Sequence, residues 1–288
     1  MKIRNKVGDM MILDGKSIKN KIMDELRDEV VNLSIKPKLV VIQVGNNEAS
    51  NVYIKQKNNM CNYIGYDFEH IKLESSVTTE MIIDVIDGLN NDGSVTGILV
   101  QLPLPLGIDT DMVVNRISPL KDVDGLTDLN NGMLFHNKDT LYSCTPYGVM
   151  ELLDRYNISV SGKNVVIVGR SDLVGKPMGV MMLNNDATVT ICHSKTKNLS
   201  EYTKKAEILV VAVGRPNFIT SDMVSEGTVV IDVGISRLDN GLCGDVDFNS
   251  VKDKCSYITP VPGGVGPMTV AMLGKNILKA YKIQNRNQ

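Results

Sequence analysis

The sequence has no tryptophan and only 4 phenylalanines, so its interior must be filled by Val, Ile, Leu and Met instead of large rings. Three histidines occur (His70, His136, His193), none at the spacing of a metal pair, and no metal is expected. Five cysteines (Cys61, Cys144, Cys192, Cys243, Cys255) make no C-x-x-C. An odd, unpatterned set points to reduced thiols in a cytoplasm and away from a disulfide or zinc framework. No apolar run approaches a membrane span, residues 39–44 and 208–213 being only strand-length. Residues 1–16 carry charges without a continuous apolar stretch, an expectation against secretion. Lys+Arg 31 against Asp+Glu 33 leaves a formal charge of −2. That balance offers nothing to neutralise a phosphate backbone, so nucleic acid is excluded as the expected partner.

What remains is a chain of 288 residues, 43% hydrophobic, enough for two ordinary domains with substantial cores. Its second half has a beat: β-branched runs at 165–169, 188–193, 208–214 and 228–235, with starts 20 to 23 residues apart. Each interval holds one helix and two loops, the cadence of βαβ units in a parallel sheet. Helices are expected near Pro177, over 199–207 and over 221–226. The first half is also α/β but less regular. Helices are expected over 14–33, 49–64 and 79–89, and strands over 39–44, 68–73 and 97–102, the last stopped by Pro103 and Pro105. Residues 268–280 have helical composition. The expected class is therefore α/β in two domains: an N-terminal catalytic domain and a Rossmann-like parallel-sheet domain, divided near residue 145.

The first rhythmic strand runs into Gly169-Arg170-Ser171-Asp172-Leu173-Val174-Gly175-Lys176-Pro177. A glycine-bearing turn between strand and helix presents backbone N–H groups to a pyrophosphate. Ser171 stands where the common fingerprint has its second glycine, and a plain strand–helix connection is the competing reading. The next strand ends Cys192-His193-Ser194-Lys195, with no acid to accept from a ribose 2′-OH. Neutral and basic groups there, with Arg170 beside the turn, suit a 2′-phosphate and favour NADP over NAD. The competing reading makes Arg170 and Lys195 solvated loop charges.

On the helix expected from Ala49, Tyr53, Lys57, Met60, Cys61 and Ile64 share one arc about 100° wide, with Lys55 nearly opposite. An inward lysine either snorkels past the helix end or sits partly desolvated with its ammonium form disfavoured. In the second case, next to a tyrosine hydroxyl, it is a candidate acid/base. Gln101 interrupts the apolar run ILVQLPLPL at a strand end, where open α/β sheets place ligands. Lys121-Asp122-Val123-Asp124-Gly125 puts two carboxylates in a short loop, which composition alone explains equally well as a surface turn.

Together these residues resemble the bifunctional methylenetetrahydrofolate dehydrogenase/cyclohydrolases. The likeness runs through Tyr53 with Lys57, Val100-Gln101-Leu102-Pro103-Leu104-Pro105, Lys121–Gly125, Cys144-Thr145-Pro146, Gly169-Arg170-Ser171 and Cys192-His193-Ser194. It continues through Asp232-Val233-Gly234-Ile235 and Gly244-Asp245-Val246 to the specific run from Thr259 to Thr269 that holds Pro262-Gly263-Gly264. The resemblance implies a folate-binding catalytic domain of residues 1–145 plus 268–288, the terminal helix returning to it, and an NADP-binding domain of 146–267. It implies oxidation of 5,10-methylenetetrahydrofolate with NADP, then hydrolysis to 10-formyltetrahydrofolate, in one-carbon metabolism. Lys57 would be the cyclohydrolase acid/base, Tyr53 would orient folate and lysine, and Gln101 would tune the lysine. Asp124 would hold the pterin, and Pro262 and Gly263 would shape the pocket wall. Gly169, Arg170, Ser171, Ser194 and Ile235 would bind the cofactor, in a cytoplasmic homodimer. Rival readings are a monofunctional or NAD-preferring member, another lysine-assisted NADP-dependent dehydrogenase, or a non-catalytic nucleotide sensor.

Overall fold

The structure, a computed structural model, describes residues 10–238 and 241–285. In chain order the elements begin with β1 (Met11–Ile12), α1 (Gly15–Val30), β2 (Lys38–Val44), α2 (Glu48–Ile64) and β3 (Asp67–Leu73). Then come α3 (Thr79–Asn91), β4 (Gly97–Val100), α4 (Thr110–Arg116), α5 (Asp128–Phe135) and α6 (Cys144–Arg155). The second half continues with β5 (Asn164–Val168), α7 (Gly175–Asn184), β6 (Thr188–Cys192), α8 (Leu199–Thr203), β7 (Ile208–Val211) and β8 (Thr228–Asp232). A hairpin of β9 (Ser236–Leu238) and β10 (Gly241–Cys243), then α9 (Phe248–Val251), β11 (Cys255–Ile258) and α10 (Val265–Gln284), complete it. No helix among the described residues is long and apolar enough to cross a membrane.

The described residues divide into two compact units, one of 20–144 with 270–285, the other of 10–19 with 145–269. In the first, β2 lies between β3 and β4, all parallel. Leu39, Val40, Val41 and Ile42 are wholly buried, so β2 is covered on both faces, which is why its sequence is an apolar run and not an alternation. Val40, Ile42 and Val44 pack with Ile82 and Ile86 of α3 and with Val113 of α4. Each such side chain contributes roughly 1.5–3 kcal/mol by leaving water. Within this unit α10 is tied to α2's C-terminal side by Tyr66, whose hydroxyl donates to Gly274 O at 3.0 Å.

In the second unit a parallel six-stranded sheet has the order β1-β11-β8-β7-β5-β6. Its inner strands supply Val166, Val168, Leu209, Val211, Val230 and Ile258 to one cluster. Three local expectations change. The described residues up to Lys19 group with this sheet and not with residues 20–144, because β1 pairs in register with β11 (Met11 opposite Tyr257) and Leu13 N donates to Ile258 O at 2.9 Å. The helix expected over 221–226 is only a 3₁₀ turn, Ser221–Met223; Lys254 Nζ donates to Ser221 O in the turn and to Val224 O just after it. The helix expected over 199–207 stops at Thr203.

Candidate active site

Helix α2 starts at the carboxyl end of β2, capped by Asn47, whose side chain accepts from Ser50 N, and ends at Gly65 in the left-handed region (φ 97). Ile54, Met60, Cys61 and Ile64 form its buried stripe. Lys57 lies on the same side and is partly buried, while Lys55 is exposed. The expected inward position of Tyr53 is corrected: it is 50% exposed. Ser50 and Ile54 of the same turn are buried, so the packed face of α2 passes beside Tyr53 without covering it.

The Lys57 amine donates to Gln101 Oε1 at 2.8 Å. Gln101 is nearly buried just past β4, and its Nε2 donates to Leu102 O at 2.8 Å. That second bond turns the amide oxygen toward the lysine. Burial pulls the Lys57 amine below its ordinary value, against the opposing pull of Asp124 and Cys144. Burial also pushes the Asp124 carboxyl up, Lys57 opposing it. Desolvation thus outweighs attraction at both members, and each leans toward its neutral form. The Cys144 thiol, pushed well up by burial and by Asp124, stays protonated and is no nucleophile.

The loop carrying Asp124 is not a surface turn. Lys121 is buried and donates to Leu89 O (2.9 Å) and Asp92 O (2.7 Å), closing the C-terminal end of α3. Asp122 accepts from the backbone N–H groups of Gly125, Leu126 and Thr127 and from Asn130 Nδ2. Val123 enters the core. Asp124 alone of the two carboxylates lies beside Lys57, with the Cys144 thiol as its hydrogen-bond partner. The loop lies against β4, with Ile98 N donating to Lys121 O at 2.8 Å, and a Cβ on Gly97 would stand 2.5 Å from Val123. Gly125 has φ +70, and a Cβ there would fall 2.2 Å from the Tyr142 carbonyl carbon. Gly125→Ala is therefore expected to lower unfolding free energy by at least about 2 kcal/mol in urea titration.

Sequence reasoning gave Cys144 no role and missed Asn276. Asn276 is fully buried on α10 and its Nδ2 donates to Val123 O (2.9 Å) and Tyr142 O (2.7 Å), tying the backbone before Asp124 to that before Cys144. The signal was available: an asparagine at a helical position flanked by the apolar residues Met272, Leu273 and Ile277.

In the other unit, the turn after β5 depends on two close approaches. A Cβ on Gly169 (φ +128) would sit 2.2 Å from Ala212 O, and one on Gly175 would sit 2.3 Å from Gly169 O. Helix α7 thereby seats directly on the turn, and at Gly179 it approaches Ile191 of β6, where a Cβ would be 2.7 Å away. Ser171, in place of a second glycine, accepts from the N–H groups of Val174 (3.2 Å) and Gly175 (3.4 Å). Arg170 and Ser171 are exposed at this carboxyl end of the sheet. After β6, His193 N donates to Thr196 Oγ1 and Lys195 N to His193 Nδ1, a self-tied turn with Ser194 and Lys195 exposed at its tip and no acid there. Ile235, after β8, is 47% exposed. Pro262 and Gly263 belong to this unit, not to that of Lys57, and Gly263 O accepts from Lys16 N at 3.0 Å. Lys57, Gln101 and Asp124 are thus brought together in one unit, and the five cofactor candidates lie on another. Among the described residues no group of three or more His, Cys, Asp or Glu is arranged to hold a metal.

Residues 13–124 match the family model described as tetrahydrofolate dehydrogenase/cyclohydrolase, catalytic domain. Residues 143–285 match the NAD(P)-binding domain of the same name. The chain is 52% identical to the bifunctional protein FolD of Halalkalibacterium halodurans, over 94% of this chain and 99% of that one. Among solved structures it is similar to the bifunctional FolD methylenetetrahydrofolate dehydrogenase/cyclohydrolase of Campylobacter jejuni, with TM-score 0.94, 48% identity, 96% of this chain and 99% of that chain covered. It is also similar to the Trypanosoma brucei FolD complexed with NADP cofactor and inhibitor, with TM-score 0.92, 34% identity and 97% and 100% covered.

Proposed function

The chain belongs to the FolD family of bifunctional methylenetetrahydrofolate dehydrogenase/cyclohydrolases, and from that premise we propose the division of labour among its residues. The enzyme oxidises 5,10-methylenetetrahydrofolate to the 5,10-methenyl cation and hydrolyses that cation to 10-formyltetrahydrofolate. The observation that carries the reading is the buried Lys57 amine bonded to Gln101 Oε1, with the Asp124 carboxyl as its neighbour.

The methylene carbon lies between two nitrogens, so hydride loss leaves a delocalised cation and requires no strong protein base. Bound NADP supplies the hydride acceptor. Its fit is supported by the cradle at Gly169 and Gly175, by exposed Arg170, Ser171 and Ser194, and by the lack of an acid after β6. Arg170 and Ser194 hold the 2′-phosphate, the feature that selects NADP over NAD, and Gly169, Ser171 and Ile235 line the cofactor.

Hydrolysis does need proton transfer. Neutral Lys57 donates one N–H to Gln101 Oε1, which keeps its lone pair available. Nζ takes a proton from water as the water oxygen bonds to the methenyl carbon. Lys57 returns that proton to N5 as the carbon–N5 bond breaks, and the second water proton is released as the formyl carbonyl forms. Asp124 accepts from the pterin's amino edge, Tyr53 orients folate and lysine from its exposed turn, and Pro262 and Gly263 shape the pocket wall. Cytoplasmic placement is supported by five unpaired cysteines, four of them buried; homodimerisation rests on the family resemblance.

A coupled assay tests the whole. Methylenetetrahydrofolate with NADP+ is expected to give NADPH, then loss of methenyltetrahydrofolate absorbance. NADPH formation with persistent methenyltetrahydrofolate would leave only the dehydrogenase.

A further inference from the structure

The motifs Asp232-Val233-Gly234 and Gly244-Asp245-Val246 have no part in the chemistry above, yet they hold two buried carboxylates. Asp245 is fully buried and accepts three backbone hydrogen bonds, from Val213 N (2.6 Å), Gly214 N (2.9 Å) and Arg215 N (2.7 Å). Asp232, 3% exposed, accepts from Gly234 N (3.0 Å), Asp245 N (3.0 Å) and Val246 N (2.9 Å). Each carboxylate rests on the other motif's glycine. A Cβ on Gly234 would fall 2.1 Å from Asp245 Cγ, and one on Gly244 1.9 Å from Asp232 Oδ2. The pair is a reciprocal lock that admits no side chain at either glycine.

Two buried like-charged groups are a costly way to hold a loop, and burial pushes Asp232 up to about 6. The place they hold explains the expense. Residues 213–215 follow β7, next to β5, and begin where Ala212 O meets the Gly169 turn. Ala212 N also donates to Val168 O at 2.8 Å, the residue before Gly169. A shift of the 213–215 backbone therefore passes directly to the turn that receives the dinucleotide phosphates. Gly214 itself, at φ +65, has nothing within 4 Å of where a Cβ would sit, so its outer face is open.

We propose that Asp245 is a positioning residue for the dinucleotide: by gathering the N–H groups of Val213, Gly214 and Arg215 it sets the loop that braces the Gly169 turn. Asp232, which fixes the Asp245 backbone, acts one step behind it. The inference rests on the cofactor reading above.

The test is Asp245→Asn in the full chain. The amide keeps the volume but places an NH2 against N–H donors, so charge-assisted bonds are lost. KM for NADP+ and the Kd measured by calorimetry are expected to rise about tenfold or more, with dehydrogenase kcat within about threefold. Hydrolysis of supplied methenyltetrahydrofolate without nucleotide is expected to change less than twofold. Asp232→Asn, which leaves the three loop bonds intact, is expected to raise KM in the same direction by less, and it carries the test if Asp245→Asn does not fold. Unchanged NADP+ affinity in a folded variant, or equal loss of both activities, overturns the proposal. Absence of NADP+-dependent turnover in the wild type would instead overturn the cofactor reading.

Discussion

Replacing Lys57 with methionine is expected to abolish hydrolysis of methenyltetrahydrofolate, lowering kcat by roughly a hundred- to ten-thousandfold, the usual contribution of a positioned acid/base. Methionine keeps an unbranched apolar stem on the partly buried side of α2, so the stripe of Ile54, Met60, Cys61 and Ile64 has no cause to repack. Gln101 loses one donor but retains its bond to Leu102 O, which limits the structural damage. Asp124 loses the opposing pull of the Lys57 amine, and its carboxyl, already pushed up by burial, rises further. Folate binding should therefore weaken only modestly. NADP+ affinity should be unchanged, since the cofactor candidates lie on a separate unit. The readout is decay of methenyltetrahydrofolate absorbance, corrected for its spontaneous hydrolysis, with calorimetric NADP+ binding alongside. Near wild-type hydrolysis would remove Lys57 from the mechanism.

The second large effect concerns nucleotide choice. Arg170 is exposed beside the Gly169 turn, and the turn after β6 offers Ser194 and Lys195 with no carboxylate. A charge-assisted bond to phosphate contributes about 1.5–3 kcal/mol, which corresponds to roughly a ten- to hundredfold change in affinity. Arg170→Ala is accordingly expected to raise KM for NADP+ by that factor while altering KM for NAD+ less than about twofold. Initial-rate measurements with each nucleotide at saturating folate give the ratio. Equal losses for both would mean that Arg170 touches only the shared pyrophosphate or nothing at all.

Both predictions begin from residues that the sequence exposed for physical reasons, and the sites it concealed were hidden for equally physical ones. Strands β2, β5, β7 and β8 were legible because they are covered on both faces and so read as unbroken β-branched runs. Strand β1 was not, being two residues long with its partner β11 more than 240 positions away. Lys57 stood out by helical phase and Gln101 as a polar residue at the end of an apolar strand. Phase misled at Tyr53, because angle about an axis does not say which residues of a turn the neighbouring elements cover, and there they cover Ser50 and Ile54 instead. The loop 121–125 was ambiguous because composition cannot separate two carboxylates. In the folded chain Asp122 is consumed by four hydrogen bonds and Asp124 is not. Asn276 and Asp245 act by gathering backbone groups far away in sequence, a role with no local signature.

The most direct measurement is titration of the Lys57 amine itself, using 15N,13C-lysine NMR with the resonance assigned by its absence in Lys57→Met. Burial lowers this amine, so it should lose its proton below the ordinary 10.5, and a bound folate that excludes water from it should lower it further. The acidic limb of the hydrolysis pH profile should follow the same midpoint, with activity rising as the amine becomes neutral. A Lys57 nitrogen that titrates like a freely hydrated lysine, with folate bound as well as without, would contradict the account.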